Sequence, residues 1–304
     1  MAALVACLPY RALAPIGALV GLFVGEVLRV RRAEVAARLG RAGFSGASAK
    51  ARAMYVSLGR GLFELLWAGG RPGRELGAEV RLGARAIEVL EGLGGRGAVV
   101  ASAHTGNWDL AACALAERHP LVVVTKRLRV RALDGLWQGL RAGRGVELVS
   151  GRGAIAAAAA ALGAGRLVAV MIDQAPEGAG RALWHPFLGQ PARHDRLAAA
   201  LAARAGRPLV VAFPRREGDG THRLEVAEVL TPPAEGAGPA WVDEATRRAS
   251  AALEAFVRER PEQWLWLHRR WKAAPRGRPA PAPRGPAPLA SWPRPSRRGS
   301  APGP

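Results

Sequence analysis

From Val80 onward, short apolar runs alternate with stretches of helical character, and that rhythm confines the chain to a sheet covered on both faces. The runs are residues 98–103, 121–125, 146–149, 167–172 and 209–213. They are dominated by Val, Leu and Ala, as strands buried on both faces are. Between them, residues 84–93, 108–118, 132–141, 154–162 and 195–205 read as helices. The expected fold is α/β: a single domain over residues 33–272 with a largely parallel central sheet flanked by helices. Residues 222–230 alternate polar and apolar side chains, which predicts an edge strand. Residues 243–260 form the last expected helix, and Pro261 stops it.

The chain before this rhythm is apolar and helical. Between Ala12 and Leu28 the one charged residue is Glu26, and Arg29, Arg31 and Arg32 follow. Such a stretch rises about 26 Å as a helix, near the lower limit for crossing a bilayer. Residues 1–32 are therefore read as a membrane-anchoring helix, with a buried core helix as the alternative. The arginines after it would keep the remainder in the cytoplasm, and the start lacks the basic segment of a secretory signal. Pro15, Gly17, Gly21 and Gly25 weaken a helix here without forbidding it. Residues 33–68 read as two helices broken around Gly43–Gly46. Glu64 stands among apolar residues of the second, where a solvated or salt-bridged acid is the expectation.

The chemistry falls where the run 98–103 ends, at Ala103-His104-Thr105-Gly106-Asn107-Trp108-Asp109. Positions five apart on a helix are about 140° apart around its axis, so His104 and Asp109 meet only across a turn. Gly106 and Asn107 permit that turn, and Thr105 or Asn107 can cap the helix that follows. Asp109 would then accept a hydrogen bond from one imidazole nitrogen and leave the other as a general base. No serine or cysteine nucleophile is placed beside the pair, which suits direct attack by a substrate hydroxyl on an activated acyl group.

Charge and cysteine content narrow the partners. A net charge of +20 predicts an anionic one: phospholipid, an acidic carrier protein or nucleic acid. The charge is spread along the chain and no nucleic-acid-binding module is recognisable, so no nucleic-acid partner is expected. Cys7 and Cys113 are too few for a disulfide framework or a zinc site, and a reducing compartment follows. A metal hydrolase built on His104 and Asp109 lacks further ligands in the sequence, so no metal is expected. Residues 264–272 carry Trp264, Trp266 and Trp271 among arginines, a composition suited to a membrane boundary or to a packed terminal element. Apart from Leu289 and Trp292, residues 273–304 are Pro, Ala, Gly, Ser and Arg without an acid. They are read as a disordered basic tail carrying six positive charges.

Four blocks in order carry a resemblance over residues 10–273. The His104–Asp109 motif is similar to the H-x4-D/E signature of bacterial lysophospholipid and lipid A acyltransferases. Ile172-Asp173-Gln174, with Gly178 or Gly180 after it, resembles the Asp-Gln block of the late lipid A biosynthesis acyltransferase family. Residues 186–192 (Pro-Phe-Leu-Gly-Gln-Pro-Ala) and 260–272 resemble two further blocks of that family. The resemblance implies an acyl chain delivered on acyl carrier protein or coenzyme A, with no further cofactor. It implies an anionic lipid acceptor, anchoring in the inner membrane and a cytoplasmic catalytic face. His104 and Asp109 would be catalytic, and Arg141 would neutralise an acceptor phosphate or the oxyanion. Asp173 and Gln174 would orient Arg141 or the acceptor. Arg193-His194-Asp195-Arg196 departs from the family's Thr and Gly at this place, and Asp195 is read there as a helix cap.

Overall fold

The computed structural model describes residues 2–128, 130–176, 182–268 and 270–271. Gly178 and Gly180, Lys272 and the basic tail 273–304 lie outside the described residues. Four helices precede any strand: α1 Ala2–Ala6, α2 Tyr10–Leu22 with a π-helical continuation Phe23–Val27, α3 Arg32–Arg41 and α4 Ala47–Gly69. Alternation then begins with β1 Val80–Leu82, α5 Ala84–Gly92, β2 Ala98–Ser102, α6 Trp108–Ala116 and β3 Leu121–Val124. It continues through α7 Arg131–Ala142, β4 Glu147–Val149, α8 Ala154–Gly163 and β5 Leu167–Met171. A hairpin of β6 Ala182–Phe187 and β7 Gln190–Asp195 follows. The chain closes with α9 Leu197–Ala205, β8 Leu209–Arg216, β9 His222–Leu230, α10 Pro239–Glu259 and a 3-10 turn, Pro261–Gln263.

Among the described residues, the sheet runs β1-β9-β8-β2-β5-β3-β4. All its pairings are parallel except β8 with β9. The expected α/β class with a largely parallel sheet is present. The two-residue period of a strand divides its core. Val99, Ala101, Val168, Val170, Val211 and Phe213 face one layer, which takes in α8, α9 and α10. Ala98, Val100, Leu167, Val210 and Ala212 face the other, against α5, α6 and α7.

Two expectations need correction. Residues 222–230 are not at the edge of the sheet, because the three residues of β1 pair with His222–Leu224 outside them. A strand that short leaves almost no periodic signal. Trp264 and Trp266 are buried in the core and not at a surface. Trp266 Nε1 donates to Pro261 O, and Trp271 packs over Phe187. Arg270 is buried too, donating to Arg193 O and to His194 Nδ1. The packed-element alternative accounts for this segment.

The N-terminal apolar helix is present. Tyr10–Val27 is long and apolar enough to cross a membrane by length and composition, and little of it is buried. Leu19, Phe23 and Val27 are exposed. Its glycines have a packing role: α2 crosses α4 at backbone contact, and a Cβ on Gly59 would lie 2.1 Å from Gly17 O. Gly59→Leu is therefore expected to lower stability by about 3 kcal/mol, as overpacking at a closed contact does. Thermal unfolding checks this, and an unchanged melting temperature would refute the close crossing.

Candidate active site

The parallel register of β2 and β5 brings two distant residues together. Ser102 pairs with Met171, and Ile172 N–H donates to Ser102 O. Two residues beyond this pair stand His104 and Asp173, side by side at the carboxyl ends of neighbouring strands. Such ends are where α/β sheets commonly carry their sites. His104 Nδ1 lies 2.9 Å from Asp173 Oδ1 and 3.1 Å from Oδ2. The main-chain N–H of His104 also donates to Oδ2, at 3.3 Å, and Trp264 Nε1–H donates to the same oxygen at 3.1 Å. The carboxylate thus holds the ring by Nδ1–H and leaves Nε2 as the basic nitrogen.

The turn after β2 is clamped from the far end of the chain. Gly106 N–H donates to Gln263 O, Leu265 N–H donates to His104 O, and Thr105 bridges to Trp264. Gly106 has φ +51°, and a Cβ there would meet Pro214 O at 2.6 Å, so only glycine fits. Asn107 caps α6 by accepting Leu110 N–H at 3.0 Å. This is the capping expected of Asn107.

Asp109 does not take the place expected of it. It sits in the first turn of α6, buried, and Arg141 Nη1 reaches its Oδ1 at 3.3 Å. The hydrogen-bond partner of His104 Nδ1 is Asp173, which the register delivers from 69 residues away. Asp109 acts on the imidazole through its charge. Asp173 likewise does not orient Arg141, whose second nitrogen donates to Gln138 Oε1 at 2.6 Å. Gln174 Nε2 is 3.5 Å from His268 Nε2. The His268 ring stands edge-on to His104 at 4.5 Å, and Trp108 lies against His104 at 5.0 Å.

These contacts set the protonation states. Burial pushes His104 down, but the charge and hydrogen bond of Asp173 outweigh it and hold the imidazole above the usual histidine range. Asp173 is held well below the carboxylate range: burial would raise it, and His104, His268 and Trp264 overcome that. Burial raises Asp109 against the opposing charges of Arg141 and His104. Burial and the charge of His104 push His268 down to about 4, so it is neutral at pH 7.

His268 was not singled out as a site residue by the sequence, because nothing local ties it to His104. With it, donor atoms of His104, Asp173 and His268 lie within 4.8 Å of one another, a cluster able to hold a metal ion. The sequence had offered no such set. The donor chemistry fits a metal poorly, however. Asp173 already accepts from His104 Nδ1, His104 N and Trp264 Nε1, so N–H groups, not open lone pairs, fill its surroundings.

Behind the turn lies a second buried network. Glu64, expected to be solvated or salt-bridged, is salt-bridged but buried. Both Nη atoms of Arg216 hold it, and Asn107 Nδ2 donates to its Oε2 at 2.8 Å. His222, kept neutral by burial, donates Nε2–H to the same oxygen at 3.0 Å. Elsewhere, Asp195 ends β7 and is not the N-cap of α9, which is Arg196; Asp195 Oδ1 accepts Leu197 N–H from the position before the cap. His194 is buried, with its Nε2 donating to His185 O.

Burial raises Glu64, but the His222 hydrogen bond and Arg216 outweigh it and bring its value from 4.5 to about 2. Its stabilising contribution is therefore complete above pH 4.5 and is lost as pH falls towards 2. Glu64→Gln is expected to cost about 3 kcal/mol at neutral pH, since it strands a buried Arg216. It should also flatten the acid dependence of unfolding in that window. Denaturant titrations across pH check this, and a variant as stable as the parent would show that the network carries no stability.

Residues 1–273 match the model of a family described as bacterial lipid A biosynthesis acyltransferase, and the chain belongs to that family. No curated protein matches it.

Proposed function

We propose that this member of the lipid A acyltransferase family moves a fatty acyl chain from a thioester donor to a hydroxyl of a lipid A precursor, with His104 as the base. The donor is acyl carrier protein or, alternatively, coenzyme A. The observation that carries the mechanism is the contact of His104 Nδ1 with Asp173 at the strand ends. It leaves Nε2 to take the acceptor's proton while the hydroxyl oxygen attacks the thioester carbonyl. The tetrahedral intermediate then collapses. The C–S bond breaks, the ester C–O bond remains, and the proton on Nε2 passes to the departing thiolate. Asp173 stabilises the imidazolium that exists between these steps. Asp109 adds a second negative charge near the ring. Arg141, occupied by Asp109 and Gln138, gives the site positive potential for the oxyanion. Gln174 holds His268, which packs the imidazole into place.

An apolar cavity of about 40 Å3 lies under α6, lined in part by Asp109, Ala112, Leu115, Val123 and Met171. It is bordered by Trp108, Asp109 and Arg141 and suits the first carbons of an acyl chain. The apolar helix Tyr10–Val27 supports anchoring at the cytoplasmic face of the inner membrane. The positive charge of the chain supports docking of an acidic carrier protein and an anionic lipid. Acceptor alternatives are another glycolipid or a lysophospholipid.

His104→Ala is expected to lower transfer by about a thousandfold with the fold retained, the usual scale for losing a general base. Near-normal transfer by that variant would end this mechanism. The acid limb of kcat/KM should lie above about pH 6.5, because His104 must be neutral and Asp173 raises it. Asp173→Asn should move that limb to lower pH while reducing the rate, and an unmoved limb would mean that another group is titrating. Removing divalent metals with a chelator should leave transfer unchanged. Loss restored by zinc or manganese would favour the metal cluster at His104, Asp173 and His268 instead.

A further inference from the structure

Arg141 is buried and engaged, so an acceptor phosphate needs cations elsewhere. A groove of about 500 Å3 between α4 and the closing segment supplies them. This is the size of a small-molecule site. Arg52, Ser57 and Arg60 line it from α4, Arg216 from the end of β8, and Arg260 with Gln263 from the far side. Arg52 and Arg60 are two turns apart on one helix face, which brings both guanidinium groups to the same wall.

The charges in the groove do not cancel. Of its two acids, Glu217 is taken by Arg215 and Arg223, which leaves Glu262 as the one lining acid without a salt bridge among the described residues, against two such arginines. Arg216 is taken by Glu64, and Arg260 reaches Glu259 at 3.3 Å. Among the described residues no carboxylate pairs with Arg52 or Arg60, and Arg60 makes one main-chain bond, from Nε to Ala14 O at 3.3 Å.

The groove is joined to the active site and to the membrane helix. Ser57, Glu262 and Gln263 also line a narrower cavity with Gly106 and Trp108, and Trp108 lies against His104. On the other side, the bond from Arg60 to Ala14 ties its wall to α2, whose Leu19 and Phe23 are exposed.

We propose that this groove binds a phosphomonoester carried on a lipid headgroup, holding the acceptor while its hydroxyl reaches His104. The assignment of that hydroxyl rests on the acyltransfer reading; the binding itself does not. A phosphomonoester presents close to two negative charges and three acceptor oxygens, which suits arginine forks better than the single charge of a phosphodiester. The shared wall with α2 favours a phosphate delivered by a lipid over one in solution.

The test uses the purified full chain without acyl donor. Its affinity is measured for phosphatidylcholine vesicles containing phosphatidate, a phosphomonoester lipid, and for vesicles matched in charge with phosphatidylglycerol, a phosphodiester. The expected result is about tenfold tighter binding to phosphatidate, lost in R52Q/R60Q, as for removal of charge-assisted hydrogen bonds. Arg52 is exposed, so R52Q alone should keep the fold and lose part of the preference. Equal binding to both vesicles, or a preference that survives in R52Q/R60Q, would overturn the proposal. Competition by glycerol 3-phosphate as strong as that by phosphatidate would place the ligand in solution and overturn the lipid-borne claim. A preference that persists while R52Q/R60Q weakens binding of acyl carrier protein would make the groove a donor dock and overturn it too. A chain that shows the arginine-dependent preference but transfers no acyl group would support this inference and refute the acyltransfer reading alone.

Discussion

The contact between His104 and Asp173 is what the rest of the site depends on. It exists because β2 and β5 are parallel neighbours in register, so residues two beyond Ser102 and two beyond Met171 end at the same height. The sheet thus sets a distance that neither segment could set alone. Trp264 donates to the same carboxylate, and its neighbours Gln263 and Leu265 bond the backbone on either side of Thr105, at Gly106 and His104. The last described segment therefore closes the site directly, and its tryptophans are buried for that reason.

Around this contact the charges are arranged in two buried tiers. Asp173 neutralises what His104 gains, while Asp109 and Arg141 balance each other at the first turn of α6. Behind them Glu64, Arg216 and His222 hold Asn107, the cap on which the turn pivots. Buried ions of this kind are costly to leave unpaired. The turn is rigid because moving Asn107 would unsettle the carboxylate of Glu64 and with it Arg216. Arg216 in turn lines the arginine groove, so the same residue bounds the site behind the turn and the surface where we place the acceptor phosphate.

Much of the fold was legible because burial on both faces leaves uninterrupted apolar runs. All five runs became strands, and the helices between them agree within a few residues at their ends. What escaped was short or irregular: the three residues of β1, and the hairpin whose β6 begins beside residues outside the described set. At the site, the turn was readable from Gly106 and Asn107, because a positive φ and a helix cap are local demands. The partner of His104 was not. Spacing offered Asp109, five residues on, whereas the hydrogen bond is set by strand register across a long separation. His268 escaped the same way, and so did the partners of Glu64, whose salt bridge was expected but whose burial against Arg216 and His222 is set by residues far along the chain. The glycines of α2, read as weak points of an apolar helix, are its contact face with α4.

On the proposed mechanism Asp173, and not Asp109, sets the tautomer and basicity of His104. Nitrogen NMR of the His104 imidazole, followed through a pH titration of the full chain, tests this directly. An Nδ1–H tautomer in the neutral form and a titration midpoint above about 6.5 are expected. Asp173→Asn should lower that midpoint much further than Asp109→Asn does. An Nε2–H tautomer, or a midpoint that responds to Asp109→Asn and ignores Asp173→Asn, would contradict it.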